Sequence, residues 1–238
     1  MNPVLEALSR AFRDLFQFKI LWVIVWPMLA AMVLWMVLGM VFWSTFSGWI
    51  ASGLASIGVQ HWLEGFEPRW VANAIQALIH LILFVPLVFV TALLITAFFA
   101  MPALIRVVAE RDFPQLRREN GGSAMGNLLN AVLALGIFIV IWAFTLPLWL
   151  IGVGVLVPFI AAAYLNQRMF RYDALAEHAS SAEMKALFND YQSSWWGLGL
   201  LTGLLQFVPL LNLLAPVVTA LAFIHFGLGR LAEMRQKA

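Results

Sequence analysis

Charged residues are so sparse along this chain that four long uncharged blocks stand out, at residues 20–63, 70–105, 120–167 and 191–229. Together the blocks hold 167 of the 238 residues. One helical membrane span takes about 20 consecutive apolar residues, so every block is long enough for at least one. None shows the period-two alternation of an outer-membrane barrel strand, so the pattern predicts helices.

The blocks differ in how they are punctuated. The first predicts a span over residues 20–43, then loosens through Ser44–Gln60, a stretch rich in Ser and Gly. Trp49 and Trp62 there suit a membrane–water interface. The second predicts one long span over residues 71–100 with a kink at Pro86. The third is interrupted by Pro147, Gly152, Gly154 and Pro158, and the fourth by Pro209-Leu-Leu-Asn212 with Pro216 just beyond. A break inside an uncharged block predicts two helices and a turn at membrane depth, giving hairpins at 127–167 and 195–229. The arms at 155–167, 195–208 and 213–228 hold 13, 14 and 16 residues, short for a full crossing, which points to re-entrant hairpins. Backbone turning at that depth needs protein or water around it, which implies a packed bundle or a homo-oligomer.

Residues 1–19 carry a different period. Val4, Leu5, Leu8, Phe12, Leu15 and Phe16 fall on one helical face, and Glu6, Arg10, Arg13, Asp14 and Gln17 on the other. That is an amphipathic helix resting on membrane lipids before the first span. The fold class expected is therefore all-α integral membrane, a single membrane domain over 1–238: two full transmembrane helices, two proline-broken hairpins and an N-terminal interfacial helix.

Composition narrows the function. The chain is 63% hydrophobic and 11% charged, whereas soluble domains carry about 25% charged residues, which excludes a soluble enzyme and a nucleic-acid-binding module. The absence of cysteine removes disulfides and thiolate metal sites. No nucleophile elbow, phosphate loop or metalloprotease motif is present, so no enzyme, cofactor or metal is expected. The 14 Lys and Arg divide as three before the first block, one (Arg69) after it, then four, three and three. Basic residues stay on the cytoplasmic side, so only the Arg69 linker is expected outside. Both termini then lie in the cytoplasm of a multi-pass protein of a bacterial inner membrane. No Asp, Glu, Lys or Arg interrupts a block, which argues against transport coupled through an intramembrane carboxylate.

Two groups of uncharged polar residues remain. Asn73, Gln76 and His80 share one face of the second span, as a pore-lining stripe or as helix–helix hydrogen bonds. His80 lies 11 residues beyond Arg69, about 16 Å of helix. The four histidines are scattered and, apart from Glu177 beside His178 and Glu64 near His61, lack carboxylate neighbours in sequence, so no metal site is expected of them. The second group is Gly199-Leu-Leu-Thr202-Gly203, followed by the proline turn. Asn212 there suits the start of the returning helix. A helix N-terminus at membrane depth can hold an anion, and the glycines allow close approach of a ligand or another backbone. The same spacing also describes a tight packing face of small residues.

The stretch from Gly199-Leu-Leu-Thr-Gly to Val208-Pro-Leu-Leu-Asn-Leu-Leu-Ala-Pro216 resembles the C-terminal signature of the bacterial CysZ-type sulfate permeases. These belong to the wider etoposide-induced membrane protein family. The order of parts is similar too. In that family a Gly-x-Leu-Thr-Ser run and an adjacent arginine pair before the first span bind sulfate. Here Gly203 stands where Ser is expected, and Lys19 alone stands near the place of the pair. The resemblance implies a passive permease for a small inorganic anion such as sulfate, with Lys19, Gly199, Thr202, Gly203 and Asn212 as its contacts. A non-transporting membrane scaffold or envelope factor of the same family is the alternative.

Overall fold

The computed structural model describes residues 2–65, 67–150, 157–212 and 214–237, and these are helical apart from turns and short connections. The order is α1 (Pro3–Leu15), α2 (Phe18–Ser56), α3 (Val59–Glu64), α4 (Arg69–Asp112), α5 (Ala124–Leu150), α6 (Val157–Ala176), α7 (Ser181–Asp190), α8 (Gln192–Leu205), α9 (Pro209–Asn212) and α10 (Ala215–Lys237). Among the described residues four helical stretches are long and apolar enough to cross a membrane: Phe18–Ser56, Arg69–Ala92, Leu128–Thr145 and Ala215–Lys237. Gly152 and Gly154, expected at the first hairpin's turn, and Leu213, expected to begin the last arm, lie outside the described residues. The last helix is longer than the short arm expected, because it runs through Arg230, Arg235 and Lys237 instead of stopping where the uncharged block ends.

The chain forms two compact units, one of Met1–Leu21 with Met101–Ala238 and one of Trp22–Ala100. The first is organised around α10, whose residues from Val218 to Leu228 are all buried. A helix apolar and buried on every side is the centre of a bundle. Around it stand α1, α6, α7 and α8, with α5 on the outer side of α6. Trp195 anchors the packing: its ring meets Phe226 edge-on at 4.7 Å, and its Nε1 donates to the Leu187 carbonyl at 3.1 Å. Ser180 and Glu183 close α7 with a reciprocal capping box. By contrast α5 leaves Leu128, Leu129, Val132, Leu133, Leu135, Ile139 and Val140 exposed, an apolar surface of the kind a lipid environment covers.

In α1 the small side chains Ala7 and Ala11, with Val4, are buried, and the helix lies along α10. Leu5 and Phe16 stay exposed, leaving an apolar edge free for a membrane surface. Asp14 falls on the packed side, not on the solvated face that the amphipathic pattern predicts.

The second unit pairs parts of α2 and α4 through aromatic rings. Trp35 meets Phe84 edge-on at 5.9 Å and donates from Nε1 to Thr91 Oγ1 at 2.9 Å. Phe46 also meets Phe84, at 5.6 Å. The helix α2 runs on to Ser56 through most of the stretch expected to loosen, and its departure from helical angles comes earlier, at Phe42 (φ −111°, ψ 22°), inside the expected span. Ser47, Ser52 and Ser56 donate their hydroxyls to carbonyls three or four residues back, which satisfies them inside the helix. The helix α4 continues through Pro86 as a single element.

Candidate functional site

The sequence run around Thr202 becomes the face of α8 that lies against α6. A Cβ added at Gly199 would sit 2.5 Å from the Ala163 carbonyl oxygen and 3.0 Å from Gln167 Cβ, so only glycine allows this approach. Gly203 has more room, its nearest neighbours being Ala163 N at 3.7 Å and Asn166 Nδ2 at 3.8 Å from the same added atom. Thr202 is fully buried between them and donates its hydroxyl to the Leu198 carbonyl at 2.8 Å. That leaves oxygen lone pairs, not a hydrogen, for any other partner.

Across the seam α6 supplies two polar groups that the sequence reasoning did not single out. Asn166 Nδ2 and Gln167 Oε1 are buried without a hydrogen-bond partner. Buried amides are normally paired, because an unmade bond forfeits the group's hydration. An unpaired amide donor beside a glycine is therefore a natural contact for an anionic oxygen. In sequence the sign was only the Asn–Gln pair at the end of the third uncharged block.

Of the other expected contacts, Lys19 is exposed near the start of α2, and Asn212 is exposed at the end of α9. The helix α10 begins at Ala215, and the Leu214 carbonyl accepts from Val217 and Val218, so Asn212 does not stand at its start. Among the described residues no hydrogen bond joins Lys19 or Asn212 to the Thr202 face. The structure thus brings together Gly199, Thr202 and Gly203, and adds Asn166 and Gln167. On α4, Asn73 is exposed, Gln76 half-buried and His80 buried. His80 Nδ1 lies 2.7 Å from the Gln76 carbonyl oxygen, and its ring stacks on Trp43 at 5.4 Å.

A second polar cluster ties α1, the end of α4 and α10 together. Asp14 Oδ2 lies 2.7 Å from His225 Nε2 and 2.5 Å from Arg111 Nη2, and its Oδ1 accepts from Gln17 Nε2 at 2.7 Å. Arg111 also donates to both carboxylate oxygens of Asp112, at 2.7 and 2.6 Å, which holds the Asp112 carboxyl below its ordinary range. Asp14 and His225 are almost completely buried. Asp14, Asp112 and His225 have the donor types of a small metal site. The Arg111 guanidinium already bridges both carboxylates, however, and supplies the positive charge there. The view that the histidines lack carboxylate neighbours fails for His225, whose partner Asp14 is 211 positions away in sequence. The visible sign was the Val4, Ala7, Ala11, Asp14 spacing, which puts Asp14 on the small-residue face of α1.

Near the other end of α10, Glu183 and Arg235 form a bidentate pair at 2.8 and 2.9 Å. The guanidinium holds the Glu183 carboxyl down to about 2. Arg235 also donates to the carbonyls of Arg117 and His178, which fixes the segment between α6 and α7 against α10.

No curated protein and no solved structure matches the chain. One family model does, that of sulfate transporter CysZ/etoposide-induced protein 2.4, over residues 7–216. The matched range includes most of α1, the Asn166–Gln167 pair, the Gly199–Gly203 run and the proline turn up to Pro216. This chain belongs to the CysZ/etoposide-induced protein 2.4 family of membrane proteins.

Proposed function

We propose that the protein is a passive permease for a small inorganic anion such as sulfate. The observation that carries this reading is the unpaired, buried Asn166 amide facing Gly203 in the α6–α8 seam. It lies within the part of the chain matched to a family whose description includes a sulfate transporter. Neutral donors fit conduction, since a permeant ion must be held well enough to enter and weakly enough to leave. The absence of carboxylates from the four uncharged blocks fits flow down a gradient better than coupling to protons or sodium.

In this reading Asn166 donates to an oxygen of the anion. Gly203 keeps the seam free of a side chain beside that amide, and Gly199 sets the close spacing of α6 and α8. Lys19 acts at a distance, raising the local anion concentration on the side of the basic linkers, and Asn212 offers a polar contact at the exposed turn. Both termini lie in the cytoplasm, the hairpins return to the side they left, and a homo-oligomer in the inner membrane encloses the turns. The experiment is anion flux into proteoliposomes for the parent and for Lys19→Ala, Thr202→Ala and Asn166→Ala. Loss of about tenfold in the Asn166 variant is expected from removing one hydrogen bond to a charged group. Parent-like conduction by all three variants overturns the assigned site.

A scaffold or envelope factor is the second reading. It is favoured by the single Lys19 where the family's arginine pair is expected. A stable membrane partner that co-purifies with a non-conducting protein decides for it.

A further inference from the structure

Within the second unit α2 and α4 leave an open groove between them, a cleft of about 720 Å³. Its walls include Trp35, Gly39 and Trp43 from α2, with His80 and Phe84 from α4. No charged side chain lines it, so an ionic ligand finds no counter-charge there.

The cleft nevertheless has one unsatisfied polar atom. The Gln76 carbonyl oxygen can only accept, so the 2.7 Å contact places a hydrogen on His80 Nδ1. In the neutral imidazole Nε2 is then a bare lone pair, and it is buried without a partner. What this atom lacks is a donor. Trp35 cannot supply it, because its Nε1 is committed to Thr91.

The surroundings narrow the donor further. Trp35 and Phe84 present aromatic walls, and an added Cβ at Gly39 meets nothing within 4 Å, which leaves the floor of the cleft open. Trp43 covers the imidazole at 5.4 Å between centroids, yet is itself 55% exposed, so it is held on one face only. A ligand that reaches the buried Nε2 has to turn this indole aside and then lies between aromatic rings. A flat ring matches that place through offset or edge-on contacts. An acidic O–H is the strongest uncharged donor for an imidazole nitrogen.

We propose that the cleft between α2 and α4 binds a lipid-soluble phenol or hydroquinone, whose ring packs among Trp35, Trp43 and Phe84 and whose hydroxyl donates to His80 Nε2. Apolar substituents leave along the exposed apolar edges of the two helices. The site is separate from the α6–α8 seam and requires no transport activity.

The test is saturation binding of a radiolabelled alkyl hydroquinone to the purified full-length protein in lipid nanodiscs, with empty nanodiscs as the partition control. The probes are the hydroquinone, its dimethyl ether and a straight-chain aliphatic alcohol of equal hydrophobicity. The variants are His80→Phe, which keeps a ring under Trp43 but removes the acceptor, and Gly39→Leu, which fills the floor and leaves His80 intact. Saturable binding of the hydroquinone is expected, weakened about tenfold by His80→Phe, as for loss of one hydrogen bond. Gly39→Leu is expected to abolish it, and the ether to bind as weakly to the parent as the hydroquinone does to His80→Phe. Equal affinity of ether and hydroquinone for the parent overturns the hydrogen bond to His80. Equal affinity of the aliphatic alcohol overturns the aromatic assignment, and binding no greater than in empty nanodiscs overturns the site. The ether comparison uses only the parent protein, so it stands even if a variant fails to fold.

Discussion

Replacing Gly199 by alanine sets a methyl group against a carbonyl. The added carbon would lie 2.5 Å from the Ala163 oxygen, against the 3.4 Å at which ordinary contact begins, so α6 and α8 must part by about 0.9 Å. Overpacking of this kind costs about 1–3 kcal/mol, while alanine recovers about 1 kcal/mol through its helix propensity. The net expectation is a loss of roughly 0–2 kcal/mol. Gly203→Ala is the control on the same helix one turn later. Its added carbon finds only ordinary contacts, the nearest at 3.7 Å, so the propensity gain stands nearly alone. The two variants should therefore differ by the overpacking cost, roughly 1–3 kcal/mol, or a Tm gap of about 2–12 °C for a body of this size. The assay is thermal unfolding in mild detergent, followed by near-UV circular dichroism. If Gly199→Ala melts with or above Gly203→Ala, the tight α6–α8 seam is wrong.

Other outcomes follow from the same geometry. Gly203→Ser introduces a hydroxyl beside Asn166 in a space that accepts a Cβ, and should raise sulfate flux several-fold without lowering Tm; reduced flux with an intact fold counts against an anion at this position. Asp14→Ala leaves the buried His225 Nε2 without its partner while Arg111 keeps Asp112, so the loss is that of one buried hydrogen bond to a charged group, about 1.5–3 kcal/mol. A lower Tm and faster proteolysis of α1 are expected, and a parent-like protease pattern contradicts the clasp. Because the folded carboxyl of Glu183 is depressed to about 2, its stabilising effect is complete above the ordinary carboxylate range, near 4.5, and fades as pH falls toward 2. The Tm difference between parent and Glu183→Gln should shrink across that interval, and a difference independent of pH removes the role given to the carboxylate.

The uncharged blocks made the long apolar helices legible before any coordinates, because a chain cannot hide four such stretches from water. The resemblance carried by residues 199–216 likewise extends to a family match over residues 7–216. What each apolar face touches was not legible. Helices α5 and α10 are both apolar, yet α5 exposes most of its large side chains and α10 buries its middle on every side. In an apolar solvent hydrophobic periodicity no longer distinguishes lipid from protein, so the outside and the centre of the bundle read alike. The same loss explains Asp14. Its partners come from α4 and α10, and a polar residue on an amphipathic helix reads as solvated until those neighbours are known. The glycines of α8 announced a close approach, but only the structure supplies the Ala163 carbonyl and the Asn166 amide opposite them.

The decisive measurement is radiolabelled sulfate release from liposomes containing only the purified protein, with sulfate as the sole gradient. Flux above protein-free liposomes, unchanged when proton or sodium gradients are imposed, is the predicted result. Release no faster than from protein-free liposomes, for sulfate and for a panel of other small anions, contradicts the permease.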